Sequence, residues 1–177
     1  MPFYKKERHY SKGNKMEKTI GVLGAGTMGI GIAQVAAQCG HQVILADLNT
    51  NQLDKAKATL GVTLSKLVDK GKIDASEKLA IENRINYASE IAAFVNCDFV
   101  IEAIIEDLEI KKSVFQALEK TVSSHCILAS NTSSLSIASI GSALNNSERI
   151  IGIHFFNPAP IMPLVEIVPA IQTSTET

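Results

Sequence analysis

The feature that constrains the fold most is an apolar, β-rich run, Thr19–Leu23, that leads directly into a glycine-rich turn. Gly24, Gly26 and Gly29 fit the pattern G-x-G-x-x-G, and residues 30–39 continue as a helix-compatible run. In a turn from strand to helix, the first glycine permits the tight bend, the second lets the backbone approach a pyrophosphate, and the third lets the helix pack closely. The helix N-terminus adds unpaired N–H groups and a partial positive charge. Alone, the pattern is compatible with dinucleotide binding and with a purely structural turn.

A second apolar run, Gln42–Ala46, predicts the next strand, and it ends at Asp47. Asp47 lies close to the spacing of about 20 residues at which an acid binds the ribose hydroxyls of NAD. The alternative is that Asp47 caps the following helix, although Asn49 or Thr50 could supply that cap instead. A carboxylate here would repel a 2′-phosphate, and residues 48–51 contain no arginine. The sequence therefore favours NAD over NADP.

Length and composition limit the possible functions. A chain of 177 residues with 46% hydrophobic residues suits one α/β enzyme domain that buries a core without disulfides. A net charge of −1 gives no reason to expect a nucleic acid partner. Cys39, Cys97 and Cys126 show neither C-x-x-C nor metal-ligand spacing, so we expect buried thiols, no metal site and a reducing, cytoplasmic location. No apolar run approaches the roughly 20 residues of a membrane span.

The N-terminus differs from the rest of the chain in its excess of lysine and arginine. It lacks the apolar core of a secretory signal. We expect residues 1–16 to be an extension that is disordered or of artificial origin, and residues 17–177 to form the NAD-binding domain.

The remaining sequence alternates apolar runs of strand length with segments of helical periodicity. Helices are expected at residues 50–70, 74–81 and 108–122, and strands at residues 84–89, 97–105, 126–130, 149–156 and 164–168. This alternation predicts a Rossmann-type, doubly wound α/β fold with a mostly parallel sheet and an antiparallel strand near the C-terminus. Ligands of such sheets lie beyond the carboxyl ends of the strands, which places Glu106 and Asp107 near the cofactor. The lysines of the helix at residues 50–70 form either a solvated face or a basic edge for a phosphorylated substrate.

Polar side chains follow or end two of the later strands. Residues 131–134, Asn-Thr-Ser-Ser, form either a plain turn and helix cap or a set of hydroxyls and an amide aimed into the cleft. His154 lies in the strand over residues 149–156, and a proline-rich turn then returns the chain so that Glu166 faces it. A histidine on an apolar strand is commonly a satisfied core residue. A carboxylate beside it would instead fix its tautomer and stabilise the imidazolium, as a general base requires.

Several of these stretches together resemble the NAD-binding domain of the 3-hydroxyacyl-CoA dehydrogenases. The most specific blocks are Ser-Asn-Thr-Ser-Ser at residues 130–134 and His-Phe-Phe-Asn-Pro at residues 154–158. The glycine turn, Asp47 and the segments at residues 102–106 and 162–166 continue the likeness, which covers nearly all of residues 17–177. Within the family, the bacterial 3-hydroxybutyryl-CoA dehydrogenases look most similar.

The resemblance implies NAD-dependent interconversion of an L-3-hydroxyacyl-CoA and the 3-ketoacyl-CoA. His154 would be the general base that removes the hydroxyl proton while a hydride leaves C3 for the nicotinamide, and Glu166 would be its carboxylate partner. Ser133 would hydrogen-bond the substrate oxygen, and Asn157 would help to hold the site near His154.

The resemblance also implies which residues bind the cofactor and coenzyme A. Glu106 and Lys111 would contact the cofactor, and Asn131 would lie beside the nicotinamide. Local pairing with acids on the same helix is the alternative for Lys111. Thr63 and Lys70 would meet the coenzyme A portion of the substrate. The other cofactor contacts would come from Gly24, Gly26, Thr27, Met28, Gly29 and Asp47.

Members of the family continue into a helical C-terminal domain that dimerises and closes the cleft, and we expect this sequence to lack that domain. The chain would then bind NAD with little turnover alone, because half of the cleft for its acyl-CoA substrate would be missing. Two other functions stay open. One is a non-catalytic NAD-binding module that regulates a partner. The other is a different hydroxyacid dehydrogenase, such as the 6-phosphogluconate type, which would use a lysine base.

Overall fold

The computed structural model describes residues 17–177, and the extension expected over residues 1–16 lies outside this part of the chain. The described residues form one sheet with helices on both faces. Its strands are Thr19–Leu23 (β1), Gln42–Ala46 (β2), Ile85–Ala88 (β3), Phe99–Glu102 (β4), Ile127–Ser130 (β5), Ile150–Phe155 (β6) and Val165–Pro169 (β7). The helices are Thr27–Gln38 (α1), Thr50–Asp69 (α2), Ala75–Asn83 (α3), Leu108–Thr121 (α4) and Ile137–Gly141 (α5), with short 3₁₀ turns at Ile91–Phe94 and Ser147–Arg149.

The strands follow the order β3-β2-β1-β4-β5-β6-β7. All neighbours run parallel except β7, which pairs antiparallel with β6. The prediction of a Rossmann-type, mostly parallel sheet with a late antiparallel strand is therefore confirmed. The strand order reverses between β1 and β4, so the carboxyl ends of these strands, at Leu23 and Glu102, border a crevice. Ligands of open α/β sheets bind in such a crevice.

Both faces of the central strands are covered, which explains their unbroken apolar runs. Val22, Val43 and Leu128 are fully buried. One face packs against α1, α2 and α3, and the other packs against α4 and α5. Each large apolar side chain buried in this way contributes about 1.5–3 kcal/mol to the stability of the fold. No helix within residues 17–177 is long and apolar enough to cross a membrane.

Helix α1 begins at Thr27, three residues earlier than the sequence pattern predicts. Gly26 is its N-cap, and no side chain in the described part of the chain caps it. Glycine is a poor helix former, so the start of a helix within the glycine turn could not be predicted from the sequence. As a consequence, Thr27 and Met28 lie in the first turn of α1, where backbone N–H groups remain available to an anion.

The three glycines of this turn serve different purposes. Gly24 has a φ of +103°, a conformation that residues with a side chain rarely adopt. A Cβ at Gly29 would lie 1.7 Å from the carbonyl oxygen of Gly24, whereas a Cβ at Gly26 would meet nothing within 4 Å. The fold itself therefore requires Gly24 and Gly29, and the space beside Gly26 is open to a ligand.

The cysteines match the sequence expectation only in part. Cys97 and Cys126 are buried, and this burial raises the pKa of Cys97 to about 12 and that of Cys126 to about 11. The expectation that Cys39 is also buried is wrong. Cys39 is the C-cap of α1 and is half-buried, because the end of the helix emerges from the core at this point.

Candidate active site

A cavity of about 340 Å³ opens at the carboxyl edge of the sheet. Its walls include Met28 from α1, Asn131 and Ser133 from the loop after β5, and His154 and Asn157 from the end of β6. Ser133 and Asn157 are exposed, so their side chains face the open space. These residues are far apart in the sequence, and they meet because the carboxyl ends of parallel strands share one edge of the sheet.

His154 and Glu166 lie directly opposite each other in the antiparallel pair of β6 and β7. The distance between Nδ1 of His154 and Oε2 of Glu166 is 2.9 Å. In the tautomer that donates Nδ1–H to the carboxylate, Nε2 keeps a lone pair that accepts a proton. The ring of Phe156 packs against the imidazole, with 4.7 Å between ring centroids. The side chain of His154 is 22% exposed and that of Glu166 is 51% exposed, so the pair borders solvent.

Asn131 connects the end of β5 to β6. Its Oδ1 accepts a hydrogen bond of 2.9 Å from the backbone N–H of Phe155, the neighbour of His154. Its own backbone N–H donates to the carbonyl oxygen of Glu102 at 2.8 Å. Because Oδ1 is occupied, the side-chain NH₂ of Asn131 is the group that it offers to a molecule in the cavity.

Lys111 borders the same cavity from α4, yet only 1% of its side chain is exposed. Its Nζ lies 2.5 Å from Oε1 of Glu102 and 3.3 Å from Oε2 of Glu106. Both carboxylates come from the end of β4 and the loop that follows it. Local pairing with nearby acids therefore describes Lys111 only in part, because its contact with Glu106 is local whereas its shorter contact, with Glu102, comes from the end of β4. It describes the next residue, Lys112, fully, since its Nζ lies 2.9 Å from Oε1 of Glu109 on the surface.

Sequence reasoning assigned no role to Glu102, because it ends an apolar run that reads as a buried strand. The structure buries this carboxylate completely. Oε1 accepts a hydrogen bond from the backbone N–H of Ile104 at 2.7 Å, and Oε2 accepts one from the hydroxyl of Ser130 at 2.7 Å. The available signal was an acid at the carboxyl end of a buried strand, followed nine residues later by Lys111 on the next helix.

Glu106 is held as a carboxylate at the rim of the cavity. The hydroxyls of Thr132 and Ser134 both donate to its Oε1, the latter at 3.1 Å. Burial raises the pKa of Glu106, but the hydrogen bond from Thr132, the charge of Lys111 and the bond from Ser134 outweigh burial and lower it below its usual value. With 40% of its side chain exposed, Glu106 presents a charged acceptor to the cavity.

Asp47 bridges the glycine turn and the start of α2. Its Oδ2 accepts a hydrogen bond from the backbone N–H of Ala25 at 2.8 Å, and its Oδ1 accepts one from Asn49 at 2.9 Å. The N-cap of α2 is Asn49, whose side chain accepts from the backbone N–H of Asn51 at 3.1 Å. The alternative of Asp47 as the helix cap is therefore wrong, and its carboxylate lies between the ends of β1 and β2.

A second cavity, of about 230 Å³, lies beside Asp47. Leu48, Ile105 and Ile110 border it, and these large apolar side chains are all exposed. Exposed apolar side chains around a cleft are typical of ligand sites. The cleft thus combines apolar walls with a carboxylate at its edge.

Thr63 lies on α2 and Lys70 directly follows it, and neither is among the described residues that line the cavity beside His154. The hydroxyl of Thr63 donates to the carbonyl oxygen of Thr59 at 2.8 Å, and Lys70 is the exposed C-cap of the helix. Since α2 has 20 residues, it is about 30 Å long. Lys70 is therefore far from the helix end that adjoins Asp47, and its contact with coenzyme A stays a prediction.

Known proteins of one family match this chain over nearly all of its described part. The family profile described as 3-hydroxyacyl-CoA dehydrogenase, NAD binding domain, matches residues 19–177. A probable 3-hydroxybutyryl-CoA dehydrogenase of Deinococcus radiodurans is 45% identical over 159 residues, which are 89% of this chain and 56% of that protein. The 3-hydroxyadipyl-CoA dehydrogenase of Escherichia coli K12 is 42% identical over 159 residues, which are 90% of this chain and 34% of that protein.

The crystal structure of 3-hydroxybutyryl-CoA dehydrogenase from Escherichia coli K12 aligns with a TM-score of 0.89 at 42% identity, and the alignment covers 90% of this chain and 34% of that one. The chain thus spans about half the length, or less, of these relatives. Because the family profile covers residues 19–177, and because the relatives share both sequence and fold with it, this chain belongs to the 3-hydroxyacyl-CoA dehydrogenase family and carries its NAD binding domain.

Proposed function

We propose that this chain supplies the NAD site and the general base of an enzyme that interconverts an L-3-hydroxyacyl-CoA and the 3-ketoacyl-CoA. The observation that carries the proposal is the contact of 2.9 Å between Nδ1 of His154 and Oε2 of Glu166. It lies at the cavity that Asn131 and Ser133 also border. An imidazole oriented by a carboxylate is the arrangement that removes a proton from an alcohol.

Three features of the chain fit NAD. The first turn of α1 offers backbone N–H groups, and a Cβ at Gly26 would meet nothing within 4 Å, so a pyrophosphate has room there. The carboxylate of Asp47 suits the hydroxyls of the adenosine ribose. The apolar cleft bordered by Leu48 and Ile105 suits an adenine ring. Thr27 and Met28 would flank the pyrophosphate on the first turn of α1.

The nicotinamide half of NAD would lie in the cavity that contains His154. Glu106 presents a charged acceptor for ribose hydroxyls, and Lys111 lies directly behind it. The side-chain NH₂ of Asn131 would donate to the carboxamide oxygen, since its Oδ1 already accepts from Phe155. The cofactor would thus span the carboxyl edge, from the apolar cleft beside β2 to the end of β6.

Bound NAD would accept the hydride from C3 of the hydroxyacyl group. His154 would accept the hydroxyl proton at Nε2 as the C3 carbonyl forms, and Glu166 would stabilise the resulting imidazolium. Ser133 would donate a hydrogen bond to the substrate oxygen, and Asn157 would hold the substrate side of the cavity near His154. In the reverse direction, Nε2–H would return the proton to the new hydroxyl.

A lysine base of the kind expected in a 6-phosphogluconate-type enzyme has no support at this cavity. Lys111 is the lysine that borders it among the described residues. Its ammonium is buried between two carboxylates, Glu102 and Glu106. An ammonium has three donors and no acceptor, so a lysine held in these two ion pairs has no site that takes a proton from a substrate. We therefore assign the proton transfer to His154.

The substrate would be a coenzyme A thioester, with Thr63 and Lys70 of α2 contacting its coenzyme A portion. The names of the relatives include 3-hydroxybutyryl-CoA and 3-hydroxyadipyl-CoA, so the family accommodates more than one acyl group. Cys97 and Cys126 are buried and form no disulfide, which fits a reducing, cytoplasmic location.

The 177-residue chain is expected to bind NADH while reducing acetoacetyl-CoA only slowly. Glu166 is 51% exposed, and every residue of β7 is exposed, so the chain alone does not exclude water from the proton-transfer pair. Replacing the NAD-binding part of the Deinococcus radiodurans relative, which aligns with this chain, by residues 19–177 should restore turnover. The measurement is acetoacetyl-CoA-dependent loss of NADH absorbance for the chain and for the chimera. A folded chimera that binds NADH but leaves acetoacetyl-CoA unreduced would contradict the proposal.

Replacing Asp47 by asparagine should weaken NADH binding by about tenfold or more, because a charge-assisted hydrogen bond to the ribose is worth about 1.5–3 kcal/mol. The preference for NADH over NADPH should shrink, since the charge that repels the 2′-phosphate is removed. Fluorescence titrations with the two nucleotides measure both effects. Asp54→Asn, an equal charge change at an exposed position of α2, is the matched control. Unchanged NADH affinity in Asp47→Asn would rule out its contact with the ribose.

A further inference from the structure

Glu102 lies under the floor of the cavity and has no role in the proposed chemistry. It is the last residue of β4, and its carboxylate is fully buried. Three donors surround it: Nζ of Lys111 at 2.5 Å, the backbone N–H of Ile104 at 2.7 Å and the hydroxyl of Ser130 at 2.7 Å. Each carboxylate oxygen therefore has a partner, and the side chain is fixed between β4, β5 and α4.

A buried ion pair of this kind is weak evidence for a role in stability alone. Removing two charges from water is costly, and apolar residues of similar volume often replace a buried pair without loss. The position of the pair is more informative. Lys111 ends 3.3 Å from Glu106, the acceptor that the proposed function assigns to the nicotinamide ribose. Glu102 thus contacts Lys111, which in turn contacts Glu106 at the cofactor site.

The same residue also links the two walls of the cavity. The carbonyl oxygen of Glu102 accepts from the backbone N–H of Asn131 at 2.8 Å, and Asn131 in turn holds the backbone of Phe155 beside His154. On the other side, the Glu102 carboxylate holds Lys111. Through Lys111 and Asn131, Glu102 is therefore connected to both walls of the cavity that the proposed function assigns to the nicotinamide half.

We propose that Glu102 is a positioning residue, which holds the Lys111 ammonium behind Glu106 so that the Glu106 carboxylate stays directed at the nicotinamide ribose. This inference rests on the proposed function of the cavity. Without the negative charge of Glu102, Glu106 would be the remaining anion beside Lys111. The two would draw together, and the oxygens of Glu106 would be turned from the cofactor. Glu102 acts here through Lys111 and touches neither cofactor nor substrate.

The first test compares NADH with ADP, which shares the adenosine and pyrophosphate of NADH and lacks its nicotinamide riboside. Glu102→Gln keeps the shape of the side chain, and its amide retains the hydrogen bonds if Ser130 turns to accept. We expect the NADH Kd of the 177-residue chain to rise about tenfold in this variant, with the ADP Kd changed by less than about twofold. Glu109→Gln removes the same charge from an exposed pair on α4 and should change neither.

The second test asks whether Glu102 acts through Lys111. Lys111→Met should itself weaken NADH binding, and Glu102→Gln/Lys111→Met should bind NADH no more weakly than Lys111→Met alone. Lys111→Met leaves the buried carboxylate of Glu102 without its ammonium. If either single variant fails to fold, the double variant, which leaves no lone buried charge, should still bind NADH more weakly than the wild type and ADP equally well, and unchanged NADH affinity would contradict the inference. Ser130→Ala, which removes one donor to Glu102 and keeps all charges, should weaken NADH binding by a smaller factor.

The outcomes separate this inference from the proposed function. A wild-type chain that binds NADH no more tightly than ADP would overturn the nicotinamide site and the inference together. If wild-type NADH binding is the tighter, equal NADH affinity in Glu102→Gln would overturn the inference alone. A double variant whose loss of NADH affinity equals the two single losses combined would also overturn it, because Glu102 would then act independently of Lys111.

Discussion

Replacing His154 by glutamine is expected to lower acetoacetyl-CoA reduction by about 10²–10⁴-fold, while NADH affinity changes by less than about twofold. The physical reason is that glutamine has no basic nitrogen, so the proton-accepting position at Nε2 is lost. The rest of the cavity keeps its shape, because His154 lies on β6 between residues held by the pairing with β7. The measurement is the rate of NADH oxidation in the chimera with the Deinococcus radiodurans relative, together with a fluorescence titration of NADH.

A matched control for this change is His125→Gln. His125 is exposed in the loop that precedes β5, at the amino end of that strand and away from the carboxyl edge. It should leave both the rate and the affinity unchanged. Glu166→Gln should also lower the rate, because a neutral partner no longer stabilises the imidazolium. A His154→Gln chimera that retains near wild-type turnover would exclude the imidazole as the base. NADH binding without any turnover in the parent chimera would instead favour a non-catalytic, NAD-binding module.

The second large effect is expected at the glycine turn, where two similar substitutions should have opposite consequences. Gly26→Ala should keep its melting temperature within about 3 °C, because the new Cβ meets nothing within 4 Å and the φ of −69° suits alanine. It should nevertheless weaken NADH binding by about 100-fold, since the Cβ occupies the place of the pyrophosphate. Gly29→Ala puts a Cβ 1.7 Å from the carbonyl oxygen of Gly24 and should destabilise the fold by about 1–3 kcal/mol or more.

Thermal unfolding and NADH titration of the two variants separate the requirement of the fold from that of the ligand. Gly61→Ala is the control, because this glycine lies inside α2 and its Cβ would make only an ordinary contact of 3.7 Å with Glu82. Alanine there should raise the free energy of unfolding by up to about 1 kcal/mol and leave the NADH affinity unchanged. Tight NADH binding by Gly26→Ala would contradict the location of the pyrophosphate. Wild-type stability of Gly29→Ala would contradict the close approach of α1 to the turn.

Much of the fold could be predicted from the sequence, because strand and helix periodicities are local properties. The run at Thr19–Leu23, the glycines after it and the alternation of later segments predict the Rossmann-type sheet that the structure shows. The contact of His154 with Glu166 was also accessible. Only a proline-rich turn separates their strands, so a simple antiparallel return places one opposite the other.

The remaining errors and omissions arise where the outcome depends on packing between elements distant in the sequence. The start of α1 at Thr27 could not be predicted, since glycine disfavours a helix unless packing against the strand and the turn stabilises that helix. Cys39 was expected inside and lies at a helix end, because burial depends on where the helix leaves the core. The sequence left two roles open for Asp47, a ribose contact and the cap of α2, and the structure shows that Asn49 is the cap.

The sequence by itself determined the order of the elements, the nucleotide turn and the histidine–carboxylate pair, because each of these depends on short-range patterns along the chain. Only the tertiary structure decided that Glu102 and Lys111 meet in the interior beneath the cavity. A lysine on a helix and an acid at the end of a strand ordinarily remain in water. They are buried here because the connection from β4 to α4 packs the helix against the sheet. The two opposite charges then become each other's partners in the interior.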